Sequence, residues 1–218
     1  MTRKKLHLLH TSEILQPVFE ELCGAELPHV DVVHQVDGSL IKDVIEAGEL
    51  TADVAQRVVQ HVRAAGDHAD LIMVTCSSIG AAVEAAAEEV ATPVLRVDQP
   101  MADRAIEIGS RIVVSATLPT TLVPTADLIR RRAALAKRPI ELVERLCAGA
   151  FEALMSGDTE AHDQIVAAAL DEQADEVDVI LLAQASMARV AERFAAARSE
   201  PPVLSSPSIA VHYLATLL

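Results

Sequence analysis

The sequence predicts an α/β protein of two similar lobes, each a mostly parallel sheet flanked by helices. A pseudo-twofold axis is expected to relate them, with the site in the cleft between. Three observations carry this expectation. Short runs of Val, Ile and Leu alternate with helical stretches from one end of the chain to the other. The runs are apolar throughout rather than at every second position, as in a parallel sheet covered on both faces. The second half also repeats the first at an offset of roughly 108 residues.

In chain order, strands are expected at 6–10, 29–36, 69–75 and 93–97, then at 111–116, 140–143, 177–183 and 202–204. Each is short and rich in Val, Ile or Leu. Ala-, Glu- and Arg-rich stretches at 79–90, 122–136, 164–174 and 187–198 read as helices. The repeat is visible residue by residue. Asp70, Ile72 and Ser78 align with Asp178, Ile180 and Ser186, and His10-Thr11 aligns with Ala116-Thr117. Pro93-Val94-Leu95 matches Pro202-Val203-Leu204 after a one-residue slip. The first lobe is placed at 1–109, with the C-terminal helix able to join it by exchange, and the second at 110–218. Ligands of open α/β sheets bind beyond the carboxyl ends of the strands. The equivalent strand-end loops of the two halves are therefore the place to look.

Composition narrows the function. The 218 residues are 51% apolar, enough for a substantial core, yet there is no Trp, one Tyr and three Phe. A stacking platform for bases or flavins is not expected. A formal net charge of −14 argues against nucleic acid, whose phosphates need clustered Lys and Arg. An acidic substrate would have to be caught locally, by backbone N–H groups, hydroxyls or a single Arg. The run after Arg3, Lys4 and Lys5 lacks a signal-peptide core, and no apolar run is long enough to span a bilayer. Cys23, Cys76 and Cys147 fit neither a disulfide framework nor a zinc motif. The expectation is a cytoplasmic protein with no membrane contact, no metal and no cofactor; its Ala-rich helices leave room for a homo-oligomer.

The run Asp70-Leu71-Ile72-Met73-Val74-Thr75-Cys76-Ser77-Ser78-Ile79-Gly80 is the most informative. A buried strand delivers Cys76 to its end, and Ser77, Ser78 and Gly80 open the next helix. A thiol there faces unpaired N–H groups and the positive end of the helix dipole, which lower its pKa. The same N–H groups and hydroxyls form a receptor for a carboxylate. Base and anion receptor together suit proton transfer at the carbon next to a carboxylate. Taken alone, Cys76 also reads as a small buried hydrophobe at a strand end, and the serines as helix caps.

Val74-Thr75-Cys76-Ser77-Ser78 resembles the first cysteine loop of the aspartate/glutamate/hydantoin racemase superfamily. Leu182-Ala183-Gln184-Ala185-Ser186-Met187-Ala188 resembles its second. The resemblance covers essentially the whole chain. It implies an enzyme that works without cofactor or metal, with one cysteine on each face of a small carboxylic acid. Here Cys76 holds the first position and Gln184 stands where the second thiol belongs. An amide does not titrate near neutral pH, so symmetrical two-thiol racemisation is not available unless another acid serves the far side. The superfamily includes one-cysteine members that decarboxylate a malonate-type acid, with the thiol in the second loop rather than the first. By this resemblance Cys76 is a lone proton donor or base, and Gln184 orients the substrate. Ser77, Ser78 and Ser186, with the loop N–H groups that include Ala185, bind carboxylate oxygens. The corresponding loop of strand 1 implies Thr11 and Ser12 as substrate contacts, and that of its repeat implies Thr117 ahead of Thr120 and Thr121.

Other candidates have structural readings of equal or greater weight. His10 is a candidate second acid, since imidazole titrates in the right range, although a strand-end His more often bonds backbone. Asp98 reads as a substrate contact or as the cap of the helix containing Met101. Asp158, Glu160, His162 and Asp163 carry metal-ligand atoms, but acids at a helix start are what the dipole favours. Cys23 shares a helix face with Phe19 and Leu22; Cys147 keeps helical spacing with Phe151 and Leu154. Both cysteines read as packing residues. No Gly-rich phosphate loop is present. Three functions fit: thiol-based proton chemistry in a racemase, isomerase or decarboxylase; a Cys76-dependent lyase or hydrolase on a dicarboxylic or sugar-derived acid; or a ligand-binding relative without catalysis.

Overall fold

The computed structural model describes residues 3–218. The chain divides into two compact units. Lobe 1 takes the residues up to Gln99 together with Pro207–Leu218, and lobe 2 takes Pro100–Ser206.

Lobe 1 contains β1 (Lys5–His10), α1 (Leu15–Glu26), β2 (Asp31–Val36), α2 (Gly38–Ala47), α3 (Ala52–Gly66), β3 (Leu71–Val74), α4 (Gly80–Ala87) and β4 (Val94–Arg96). Its four strands are all parallel, in the order β2-β1-β3-β4. Side chains alternate between two cores. Leu6, Leu8, Leu71 and Met73 pack with Phe19, Cys23 and Leu27, and with Ala210, Val211 and Leu214 of α10 (Ser206–Leu214). Leu9, Ile72 and Val74 face the opposite core, built on Leu40, Val44, Val54, Val58 and Val62. Burying each such side chain contributes roughly 1.5–3 kcal/mol, which is why these strands tolerate no polar break until their ends. The segment 38–66, for which the sequence pattern above names no element, supplies α2 and α3. Asp37 and Thr51 cap them by accepting from Ser39 and Val54 N–H, and Gly48 ends α2 in the left-handed region at φ 73°.

Lobe 2 opens on α5 (Gln99–Ile108) and repeats the plan with β5 (Arg111–Ala116), α6 (Pro119–Leu135), β6 (Glu141–Leu146), α7 (Ala150–Met155), α8 (Thr159–Asp171), β7 (Val179–Leu182), α9 (Ala188–Ala197) and β8 (Val203–Ser205). Strand order is β6-β5-β7-β8, again all parallel, the same topology as lobe 1. The predicted α/β class with two parallel sheets is therefore found, and all eight predicted strands form.

One aligned residue pair shows why the two halves share a register. Asp70 Oδ2 accepts the Lys5 N–H at 2.8 Å, and Asp178 Oδ2 accepts the Ser110 and Arg111 N–H groups at 2.7 and 2.8 Å. Each carboxylate stitches the start of its third strand to the start of its first. These bonds hold both carboxyls below the usual range. Cys147 is corrected in one respect. It is buried, but it lies between β6 and α7 rather than on the helix, its N–H donating to Ala116 O at 2.8 Å.

Candidate active site

Within lobe 1, β1 and β3 end side by side, with Leu9 paired to Val74, and each continues into a loop carrying a candidate residue. Cys76 leaves β3 in extended backbone (φ −132°, ψ 116°) and a single 3₁₀ turn, Ser77–Ile79, joins it to α4. This tight turn bends the N–H groups of Ser78 and Ile79 back toward the sulfur. The sulfur is met by four groups: the Thr11 hydroxyl, the Ser78 and Ile79 N–H groups, and the Ser78 side chain. All four favour the thiolate. Ser77 and Ser78 are buried, as is Thr11, while Ser12 stays half-exposed.

The sequence reading of a thiol pKa below normal is corrected. Burial pushes the Cys76 thiol up, and the hydrogen bonds from Thr11, Ser78 and Ile79 only partly offset it. Cys76 as a residue keeps intermediate exposure, but its sulfur is enclosed closely enough for desolvation to outweigh the loop's donors. Cys23 and Cys147 lack such donors, and burial pushes each of their thiols up to about 11.

Lobe 2 builds the matching loop with different chemistry. Gln184 leaves β7 in extended backbone (φ −132°, ψ 137°), and the 3₁₀ turn Ala185–Met187 leads into α9. Its Oε1 accepts from Thr117 N at 2.5 Å and from Thr117 Oγ1 at 3.0 Å. Thr117 thus holds Gln184 as its repeat partner Thr11 holds Cys76. The amide carbonyl is engaged, leaving the NH₂ end as the donor of this loop. Gln184, Ala185 and Ser186 are half-exposed and Thr117 is buried. Two hydroxyls near this strand end, Ser115 Oγ and Thr120 Oγ1, are buried without a partner among the described residues.

His10 lies directly beneath the Cys76 loop and is fully buried. Its Nδ1 is 2.9 Å from Thr75 Oγ1, and its Nε2 is 3.0 Å from His34 Nδ1. Thr75 donates its own proton to Leu9 O at 3.2 Å, so it accepts from His10 Nδ1–H. His34 then donates to the bare Nε2. Burial, reinforced by His34 and His7, lowers the imidazole to about 4. His10 is therefore neutral near pH 7, with both nitrogens engaged. The lobe 2 counterparts of His10 and Thr75 are Ala116 and Ala183.

Asp98, also fully buried, grips Arg96 through two bonds, Nε–Oδ1 at 2.9 Å and Nη2–Oδ2 at 2.6 Å. This ion pair had no sequence signal beyond an Arg inside an apolar strand and an acid two residues later. In the 158–163 segment, Asp158 caps α8 through Ala161 N–H, while Asp163 accepts from His162, Arg189 and Arg193. No cluster of three or more metal-ligating side chains occurs among the described residues. Two grooves of about 230 and 320 Å³ lie within lobe 1 and lobe 2 respectively, and neither is lined by Cys76 or Gln184. No described helix is long and apolar enough to cross a membrane.

A family model described as Asp/Glu/Hydantoin racemase matches residues 9–214. No curated protein sequence matches. Among solved structures the chain is similar to allantoin racemase from Klebsiella pneumoniae, at 18% identity and a TM-score of 0.70, covering 98% of this chain and 87% of that one. It is similar to a glutamate racemase from Bacillus anthracis at 19% identity and a TM-score of 0.71, covering 99% and 81%. Picrophilus torridus aspartate racemase is similar at 14% identity and a TM-score of 0.70, covering 98% and 94%. At these identities the likeness is one of fold.

Proposed function

Because the chain belongs to the Asp/Glu/hydantoin racemase family, we propose that it moves a proton at the carbon alpha to the carboxylate of a small acid, without a cofactor, using Cys76. The observation that supports this most is the convergence of Thr11, Ser78 and Ile79 donors on one sulfur. A packing cysteine gains nothing from four such partners, whereas a thiol that becomes a thiolate during turnover needs them. In this reading the thiolate takes the alpha proton, leaving an enediolate. Its return by Cys76 to the same face is exchange with solvent and no net product, and inversion requires delivery of a proton to the other face by a second carrier. Pushed up by burial, the Cys76 thiol rests protonated near neutral pH, the state that donates, and the surrounding donors stabilise the thiolate when it forms.

Gln184 has a different task. With its carbonyl held by Thr117, its NH₂ group is the donor that the lobe 2 loop offers to a carboxylate or enediolate oxygen. Ser12, Ser77, Ser78, Ala185 and Ser186 supply further hydroxyl or N–H contacts; Thr11 and Thr117 position the two central residues. Chemistry then occurs on one face. The relatives named above as racemases of allantoin, glutamate and aspartate suit a small, polar, aliphatic substrate. An isomerase outcome needs a second proton carrier, and the neutral, doubly bonded His10 is poorly placed for that role. A second reading, one-face protonation after loss of CO₂ from a malonate-type acid, is favoured by the amide at position 184. Three free thiols suit a reducing cytoplasm.

The test is alpha-proton exchange and turnover of a panel of small carboxylic acids by the protein and by Cys76→Ser. The expected result is a folded variant with turnover reduced by at least about 10³-fold, the scale seen when a general acid–base group is removed together with its positioned proton. Full activity in Cys76→Ser rejects the proposal. Covalent trapping of substrate on Cys76 would instead favour the nucleophilic lyase or hydrolase reading, and tight binding without turnover the ligand-binding one.

A further inference from the structure

Lobe 1 carries a buried arginine at the end of its fourth strand, beside the joint between the cysteine loop and α4, and lobe 2 has Ser205 at the equivalent strand position. Arg96 is the last residue of β4, paired in register with Val74, two residues before Cys76. Its side chain is 4% exposed. Asp98 fixes the Nε and Nη2 edge, and Glu84 accepts from Nη1 at 2.9 Å. The guanidinium lies flat against Gly80, the first residue of α4. A Cβ built there would sit 2.2 Å from Arg96 Cζ and 2.5 Å from Nη1. The Arg is held by two acids, Asp98 and, one turn along α4 from Gly80, Glu84, so it cannot simply retreat. Gly80 immediately follows Ser78 and Ile79, whose N–H groups point at the sulfur.

The repeat supplies the control. The residue opening α9, equivalent to Gly80, is Ala188, and the end of β8, paired with Leu182 as Arg96 is with Val74, is Ser205. The same strand–turn–helix joint therefore forms in lobe 2 with a methyl group in place of hydrogen and a serine in place of the arginine. The clamp is not a requirement of the fold. It occurs in the lobe whose loop ends in a titrating thiol and is missing where the loop ends in a non-titrating amide.

We infer that Arg96, held by Asp98 and Glu84 and seated on Gly80, is a positioning residue that keeps the Ser78–Ile79 turn aimed at the Cys76 sulfur. This rests on the proposed role of Cys76 as the reacting thiol. Arg96 acts through the turn. Its loss lets the turn relax, the two N–H groups lose alignment, and the thiolate loses part of its stabilisation.

The test compares the protein with Arg96→Gln/Asp98→Asn, which removes both charges together so that neither is left buried alone, and with Gly80→Ala, which installs the lobe 2 residue. Thiolate formation is followed by ultraviolet absorbance against pH, with Cys76→Ser subtracted to isolate the one sulfur. Thermal unfolding is recorded in parallel. The expected result is a Cys76 titration moved upward by about one pH unit in both variants, equivalent to a tenfold drop in thiolate at a given pH. A titration that stays at the wild-type position in either folded variant, whatever the change in unfolding temperature, overturns the inference and leaves Arg96 as packing. A wild-type signal that Cys76→Ser does not remove would refute the role of Cys76 itself, a separate failure.

Discussion

Thr11→Val removes one oxygen from the Cys76 environment while keeping the shape of a buried, β-branched side chain. The Thr11 hydroxyl donates to the sulfur, and the donation counts chiefly in the thiolate state. A hydrogen bond to a charged group contributes about 1.5–3 kcal/mol. At about 1.4 kcal/mol per unit, losing it lifts the thiol by roughly one to two pKa units. Burial already pushes this thiol up, so at neutral pH the thiolate fraction falls at least about tenfold. The rate of alkylation falls less, because a more basic thiolate is the better nucleophile; with a Brønsted slope of about 0.4–0.5, about threefold is returned for each unit. The net loss in rate is thus roughly three- to tenfold, while the inflection of the rate against pH moves by the full amount. Iodoacetamide labelling at a series of pH values, read peptide by peptide by mass spectrometry, measures both. Cys23 and Cys147, with thiols near 11 and no exposure, serve as unreactive references within the same chain. An inflection unchanged in folded Thr11→Val refutes the reasoning, since the hydroxyl would then contribute nothing to the thiolate.

Two further predictions follow from the repeat. Gln184→Cys places a second thiol at the lobe 2 loop and removes the acceptor of Thr117; proton exchange at the opposite face of a bound acid should appear, measured by solvent deuterium in the enantiomer that the unaltered protein leaves unlabelled. Asp70 and Asp178 have carboxyls held below the usual value of 3.8, so their contribution to stability is present above that pH and is lost as pH falls through their lower folded values. Acid unfolding of Asp178→Asn should accordingly show a weaker pH dependence below about 4 than the unaltered chain, and an identical profile would remove Asp178 from that account.

Much of this architecture was legible because buried parallel strands need uninterrupted apolar runs, and because the repeat preserves residues that tie strands together. Asp70 and Asp178 are an example: they align in the sequence, and each bonds the start of its neighbouring strand. Cys76 and Gln184 were legible for the same reason, as strand-end residues followed by a tight turn. The parts that escaped depend on distance in the chain. Arg96 reads as an anomaly in a strand until Gly80, sixteen positions earlier in the sequence, is seen lying under its guanidinium. The ladder from His7 to Gln35, His61 and Asp37 joins three elements by bonds of 2.8–2.9 Å and has no local pattern to betray it. A helix start is visible in a sequence while the depth of a sulfur is not, so the upward direction of the Cys76 shift emerges only from the structure. Thr117 donates its hydroxyl and N–H to Gln184, a pairing between residues 67 apart that no local pattern announces.

The most direct measurement is deuterium incorporation at the alpha carbon of each enantiomer of a small turned-over acid, followed separately in D₂O. A single reacting thiol, with a non-titrating amide at the repeat position, predicts label entering one enantiomer with Cys76 present and neither enantiomer in Cys76→Ser. Equal labelling of both enantiomers, or labelling that survives the loss of the thiol, would contradict the account.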